Sequence, residues 1–353
     1  MSDKAFWRRA LPLLLTLVLA TALLGGCRRE PDAGIIGGAD GSTSILLTPS
    51  FDSEQLTELT VVLDWTPNIN HSGIYAAQAL GYFAEQGLDV SIVQPGDNYA
   101  LQIVAAGQAE FGVSYQEEVT FARAAGLPVL SLAAVIQHNT SCFAAPAGKS
   151  IDSVADFSGN IYGGWGGEVE EELLNYLVEQ QGMAEPVEII NIGSADFFTA
   201  TETTVDFSWI FYGVTGVEAE LRGVELDVIY LRDIAPEFDY YTPVIVAEED
   251  WLAANGELAG RFMSALSRGY QYADAEPQAA AALLIQAEAG LDAELVAAGQ
   301  QWLAGQYQGD APYWGWQDIE VWQGFADWLY QRGLLAEEFD AAAAFSNDYL
   351  PQQ

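Results

Sequence analysis

Basic residues are scarce in this chain. Its 353 residues include 12 Lys+Arg against 50 Asp+Glu, a formal net charge of −38. So acidic a body repels phosphate backbones and anionic headgroups, which argues against nucleic acid as a partner. Cysteine is nearly absent: with only Cys27 and Cys142, the chain is no disulfide scaffold. Two histidines and two cysteines leave little for a soft-metal site, and no H-x-x-H or C-x-x-C pair occurs. There is no Gly-rich phosphate loop with Lys and no Gly-x-Ser-x-Gly elbow. The glycine-rich stretch 163–167 runs into Glu168, a charge that would repel phosphate. Lysine occurs only at Lys4 and Lys149.

Apolar material is plentiful. Half the residues are hydrophobic and 12% aromatic, enough for a packed core. Residues 11–24 (LPLLLTLVLATALL) follow the basic start Lys4, Arg8 and Arg9. A run of this length is short for a membrane span and fits an export signal. It ends in Leu24-Gly25-Gly26-Cys27, similar to a bacterial lipobox whose Cys carries lipid. We therefore read 1–26 as a lipoprotein signal peptide, Cys27 as the lipidation site and 27–57, rich in Gly, Ser, Thr, Asp and Pro, as a flexible tether. No later segment is apolar enough to span a bilayer. Cys142, left without a partner, reads as a small buried hydrophobe.

From residue 58 short β-rich runs alternate with helical ones, which predicts a mostly parallel sheet flanked by helices. Strands are expected at 60–65, 89–94, 111–115 and 129–135, with helices at 71–86, 99–106 and 116–125. A second α/β set follows, with strands at 161–164, 187–192, 207–212, 228–231 and 242–247. The remainder, from about 250, is nearly all helix. The pattern predicts an α/β clamshell with a C-terminal helical pack: lobe 1 from 58–147 plus 243–353, lobe 2 from 148–242. Crossings near 146–150 and 239–243 would act as hinges.

Polar and aromatic residues interrupt the pattern at strand carboxyl ends, where open α/β sheets bind ligands. Asp64, Trp65, Asn68 and His71 follow the first strand, Tyr115 and Glu117 the third, and Asn139 the fourth. Trp165, Trp209, Tyr212 and Glu218 hold such places in the second lobe. Aromatic faces stack on rings, while carboxylates and amides read ring nitrogens and amino groups. The inventory suits a planar, polar-edged heterocycle. Each residue also has a plainer use: Asn68 as a helix cap, Glu117 as a first-turn acid, Trp209 as core.

The strings 63–68 (LDWTPN) with His71, 81–83 (GYF), 114–117 (SYQE), 136–141 (IQHNTS), 162–166 (YGGWG), 195–198 (ADFF) and 209–213 (WIFYG) together resemble one family. It unites fungal thiamine-pyrimidine synthases with bacterial solute-binding proteins of ABC importers. The resemblance covers about residues 58–351. It implies a type II periplasmic-binding-protein fold closing over a vitamin or its precursor, with a permease and an ATPase as partners and no cofactor. The fungal branch is an enzyme that consumes its own His and a pyridoxal phosphate held by Lys. This chain departs from that branch, since Lys149 lies far in sequence from His71 and a Schiff base needs an amine. Synthase activity is the alternative reading. Riboflavin and a thiamine-precursor pyrimidine both suit the resemblance. Val214 stands where an aromatic is common in the pyrimidine binders, which leaves room for a larger ring.

Overall fold

The computed structural model describes residues 56–96, 99–183 and 186–351. The expected signal peptide and Cys27, and nearly all of the tether, lie outside the described residues. The first run comprises β1 (Thr57–Val62), α1 (Ser72–Ala79), α2 (Tyr82–Glu85), β2 (Leu88–Val93), α3 (Ala100–Ala105), β3 (Phe111–Ser114), α4 (Gln116–Ala124) and β4 (Val129–Ala134). The expected helix over 71–86 is two helices. Gly81 sits at φ 77°, a left-handed conformation that stops α1.

The second run comprises β5 (Ser141–Pro146), β6 (Ile161–Gly164), α5 (Glu168–Gln181), β7 (Glu188–Asn191), α6 (Phe197–Thr203), β8 (Phe207–Phe211), α7 (Val217–Arg222), β9 (Leu226–Tyr230) and α8 (Leu231–Ile234). The chain ends in β10 (Val244–Glu248), α9 (Glu249–Ala275), α10 (Pro277–Ala287), α11 (Ala293–Leu303) and α12 (Ile319–Gln331). Among the described residues no helix is long and apolar enough to cross a membrane.

Two five-stranded sheets result, ordered β2-β1-β3-β10-β4 and β7-β6-β8-β5-β9. In each, parallel neighbours are joined by one antiparallel strand, β10 in the first and β5 in the second. This is an α/β two-lobed clamshell. The sequence reading has no strand at 141–146, yet β5 is central in the second sheet. The chain therefore leaves the first sheet between Ala134 and Ser141, earlier than the crossing expected at 146–150. The second crossing falls between β9 and β10, where 239–243 was expected.

Each sheet is packed on its own core. Val61, Phe111, Ile245 and Phe262 are fully buried in the first, Phe143, Phe157, Tyr162 and Phe207 in the second. Helix α12 serves both lobes. Its Trp322 stacks on Phe345 at 5.6 Å beside the first sheet's residues. One turn on, Phe325, Trp328 and Leu329 join the second lobe's core, with Phe325 at 4.3 Å from Tyr240. Arg332 then bonds Glu172 of α5 at 2.6 Å. A helix assigned by sequence to lobe 1 alone thus ties the two together.

Candidate functional site

The buried apolar strand β1 delivers Asp64 to its carboxyl end. The Asp64 carboxylate accepts from His71 Nε2 at 2.6 Å and from the Tyr115 hydroxyl at 2.6 Å. Burial pushes its pKa up, but the bonds from His71 and Tyr115 outweigh this and hold the carboxyl below the ordinary range. The Asn68 backbone N–H donates to His71 Nδ1 at 3.1 Å, so that nitrogen carries no proton and Nε2–H is the donor to Asp64. Asn68 Oδ1 in turn accepts from Asn70 N–H and completes a capping box. Asn68 and His71, expected to touch the ligand, are engaged in holding Asp64, and His71 is fully buried. Trp65, the next residue after Asp64, is 60% exposed.

Strand β3 ends in Ser114 and Tyr115, and α4 begins there. Ser114 Oγ bonds Glu118 at 2.7 Å. Glu117, in the first turn, is half-buried and hydrogen-bonded to Tyr240. Burial is the main cause that pushes its pKa up to about 7, with the Glu118 and Glu170 charges adding to it and the Tyr240 bond opposing. Burial, aided by the Asp64 carboxylate, likewise raises the Tyr115 hydroxyl well above its ordinary value.

From the second lobe comes a carboxylate that sequence reasoning missed. Glu170 is 4% exposed. It accepts from the Tyr162 hydroxyl at 2.5 Å, Gly166 N–H at 2.9 Å, Gly167 N–H at 3.3 Å and Trp165 N–H at 3.4 Å. A Cβ on Gly164 would lie 2.5 Å from Glu170 Oε1, which is why glycine stands there. Glu170 is the third residue of α5, a position from which a Glu reaches back to the N–H groups before the helix, but with Gly167 as the cap the sequence carries only half of a capping box. Trp165 is 47% exposed on this loop, its ring 5.7 Å from that of buried Trp209. Trp209 Nε1 is buried without a hydrogen-bond acceptor.

Asp64, Trp65, Tyr115, Glu117 and, from the facing lobe, Trp165 and Trp209 with Glu170 thus supply aromatic faces and carboxylates. The Glu170 charge, from the second lobe, is close enough to Glu117 to help raise its carboxyl. Three expected residues stand elsewhere. Asn139 is fully buried and braces the crossing, donating to Phe238 O at 3.0 Å while its backbone N–H bonds Asp239 at 2.8 Å. Glu218 pairs with Arg222 one turn along α7. The Tyr212 hydroxyl donates to Glu220 at 2.6 Å and its ring lies 5.1 Å from Trp302 of α11. This edge is a lobe-to-lobe contact: a Cβ on Gly213 would meet Trp302 at 3.1 Å and Ile69 at 3.3 Å. Val214 packs against the first lobe's core.

The chain matches the family described as NMT1/THI5 like over residues 68–280. A formylaminopyrimidine-binding protein of Halalkalibacterium halodurans is 30% identical, the match covering 84% of this chain and 92% of that one. The riboflavin-binding protein RibY of Chloroflexus aurantiacus is 27% identical over 84% of this chain and 87% of its own. In fold, the chain is similar to the periplasmic aliphatic sulphonate binding protein SsuA of Escherichia coli, with a TM-score of 0.65 and 18% identity, covering 83% and 98% of the two chains. This chain belongs to the NMT1/THI5-like family.

Proposed function

We propose that this protein is the extracytoplasmic substrate-binding subunit of an ABC importer and captures an aminopyrimidine of the thiamine-precursor type. The observation that supports the ligand class is the group of carboxylates after β1, β3 and β6, close enough for their charges to act on one another. Asp64, Glu117 and Glu118 belong to one lobe and Glu170 to the other, and Trp65 and Trp165, which follow β1 and β6, are exposed. An aminopyrimidine offers an exocyclic amine and ring nitrogens that take protons, which such a site reads well. A flavin edge presents one N–H between two carbonyls and needs donors instead. The membrane permease and ATPase are the partners this role requires, with Cys27 as the lipid anchor.

The synthase reading requires a lysine amine near His71. Lys149 is the sole lysine among the described residues, and its Nζ is held by Asp206 at 2.8 Å and Val205 O at 2.9 Å. His71 is buried with both ring nitrogens bonded. Neither group is free for that chemistry.

The test is calorimetric titration with 4-amino-5-hydroxymethyl-2-methylpyrimidine, its formylamino relative and riboflavin. A pyrimidine is expected to bind one-to-one and more tightly than riboflavin; tighter riboflavin binding overturns the ligand assignment. Loss of a stacking aromatic removes about 1 kcal/mol beyond its buried area. Trp165→Ala should therefore weaken binding at least roughly tenfold. Trp302→Ala is no neutral control, because Trp302 touches Tyr212 at the lobe contact. Tyr330→Ala, at an exposed position on α12, serves that purpose and should leave affinity unchanged. Near-parental affinity in Trp165→Ala would remove this residue from the site.

Anchoring has its own check. Cys27→Ala should move the protein from the membrane fraction to the soluble one without altering affinity. Retention after a carbonate wash would overturn the lipobox assignment.

A further inference from the structure

Glu170 stands in an unusual place for an acid. The loop after β6 turns three backbone N–H groups toward one point at the start of α5, a 14-residue helix whose dipole favours negative charge there. The Tyr162 hydroxyl adds a fourth donor. Trp209, whose ring lies 5.7 Å from that of Trp165, holds a buried Nε1–H with no acceptor. A cradle with these donors suits an anion, and the chain fills it with its own carboxylate. No Lys, Arg or His pairs with Glu170 among the described residues. Trp165, whose N–H is one of the cradle's donors, is itself 47% exposed, so the cradle lies next to accessible surface.

We propose that Glu170 sets ligand charge specificity: its carboxylate occupies the anion cradle of lobe 2, so the site takes a neutral or cationic heterocycle and rejects the same ring bearing a phosphate or sulfonate. The choice of ring rests on the function proposed above; the occupied cradle does not. Two effects act together. The three backbone N–H groups and the Tyr162 hydroxyl that would hold an incoming anion already donate to Glu170, and the carboxylate adds a like charge next to where that anion would sit. The sequence places the repulsion at Glu168, but Glu168 is exposed and the buried acid is Glu170.

The experiment uses the full chain as the parent and as Glu170→Ala and Glu170→Gln. Each is first titrated with sodium sulfate at constant ionic strength against chloride, reading heat and Tm. The parent is expected to show no saturable sulfate response. Glu170→Ala, with the cradle vacated, should bind sulfate and rise in Tm above the chloride control. Glu170→Gln keeps an acceptor in place without the charge and should gain a smaller response. The second readout is the affinity ratio between the hydroxymethyl aminopyrimidine and its phosphate monoester. The parent should prefer the alcohol at least a hundredfold, and Glu170→Gln should narrow that preference at least tenfold. Folded variants with parental sulfate behaviour and an unchanged ratio would overturn the proposal. Circular dichroism identifies which variants fold; if Glu170→Ala does not, Glu170→Gln decides by both readouts. Should the parent bind no aminopyrimidine, the function proposed above fails while the sulfate titration still judges the cradle.

Discussion

Asp64→Ala is expected to unfold the cleft end of lobe 1 more readily than any surface change. The carboxylate is the acceptor for two donors in a region sealed from water: the fully buried His71 and the Tyr115 hydroxyl. Removing it leaves both donors unpaired, at about 1–3 kcal/mol each. A total loss of about 2–6 kcal/mol corresponds, at about 2 °C per kcal/mol for a chain of this size, to a fall in Tm of roughly 4–12 °C. Asp64→Asn retains one acceptor oxygen and should lose less. Thermal melts of the two variants test this, and an Ala variant melting within 2 °C of the parent, a margin of about 1 kcal/mol, would show that the trio carries no stability. Affinity should fall with stability here, because the trio also fixes the Tyr115 ring at the cleft.

Glu117→Gln is expected to act in the opposite direction. The folded protein holds this carboxyl at about 7, above its ordinary value of 4.5, chiefly through burial. A group whose pKa is raised on folding is more protonated in the folded state between those values. Its presence therefore lowers stability as pH rises from about 4.5 to about 7, and the penalty is constant above that. One pKa unit corresponds to about 1.4 kcal/mol; with partial solvent contact we expect about 1–3 kcal/mol. The Gln carbonyl still accepts from Tyr240, so the variant should be more stable by that amount at pH 8 and equal to the parent near pH 4. Denaturant melts across this range provide the check. A difference that does not vary with pH would contradict a raised carboxyl at this position.

Strand ends were legible in the sequence because burial and charge change there abruptly. The apolar run through Leu63 halts at Asp64, and β3 halts at Tyr115 before an acidic first turn; both residues meet in the folded protein. Trp165 was legible through its flanking glycines, which give an indole little to pack on. What escaped did so for physical reasons. Strand β5 has the sequence SCFAAP, small residues between polar stretches, and only its pairing with β8 and β9 makes it a central strand. Glu170 was lost among 50 acids, where no single carboxylate stands out. Its partners are backbone N–H groups, which side-chain spacing does not reveal. Tyr212 carries the family's pattern and Glu218 follows it one helical turn on, yet their side chains bond Glu220 and Arg222.

The central claim is that this chain holds an aminopyrimidine and releases it unchanged. It is tested most directly by mass spectrometry of the protein mixed with equimolar ligand, first in the native state and then after denaturation. The account predicts a one-to-one complex, a ligand recovered at its original mass, and a polypeptide whose mass is unaltered with or without pyridoxal phosphate. A pyridoxal adduct on Lys149, or a polypeptide that has lost mass at His71, would contradict it.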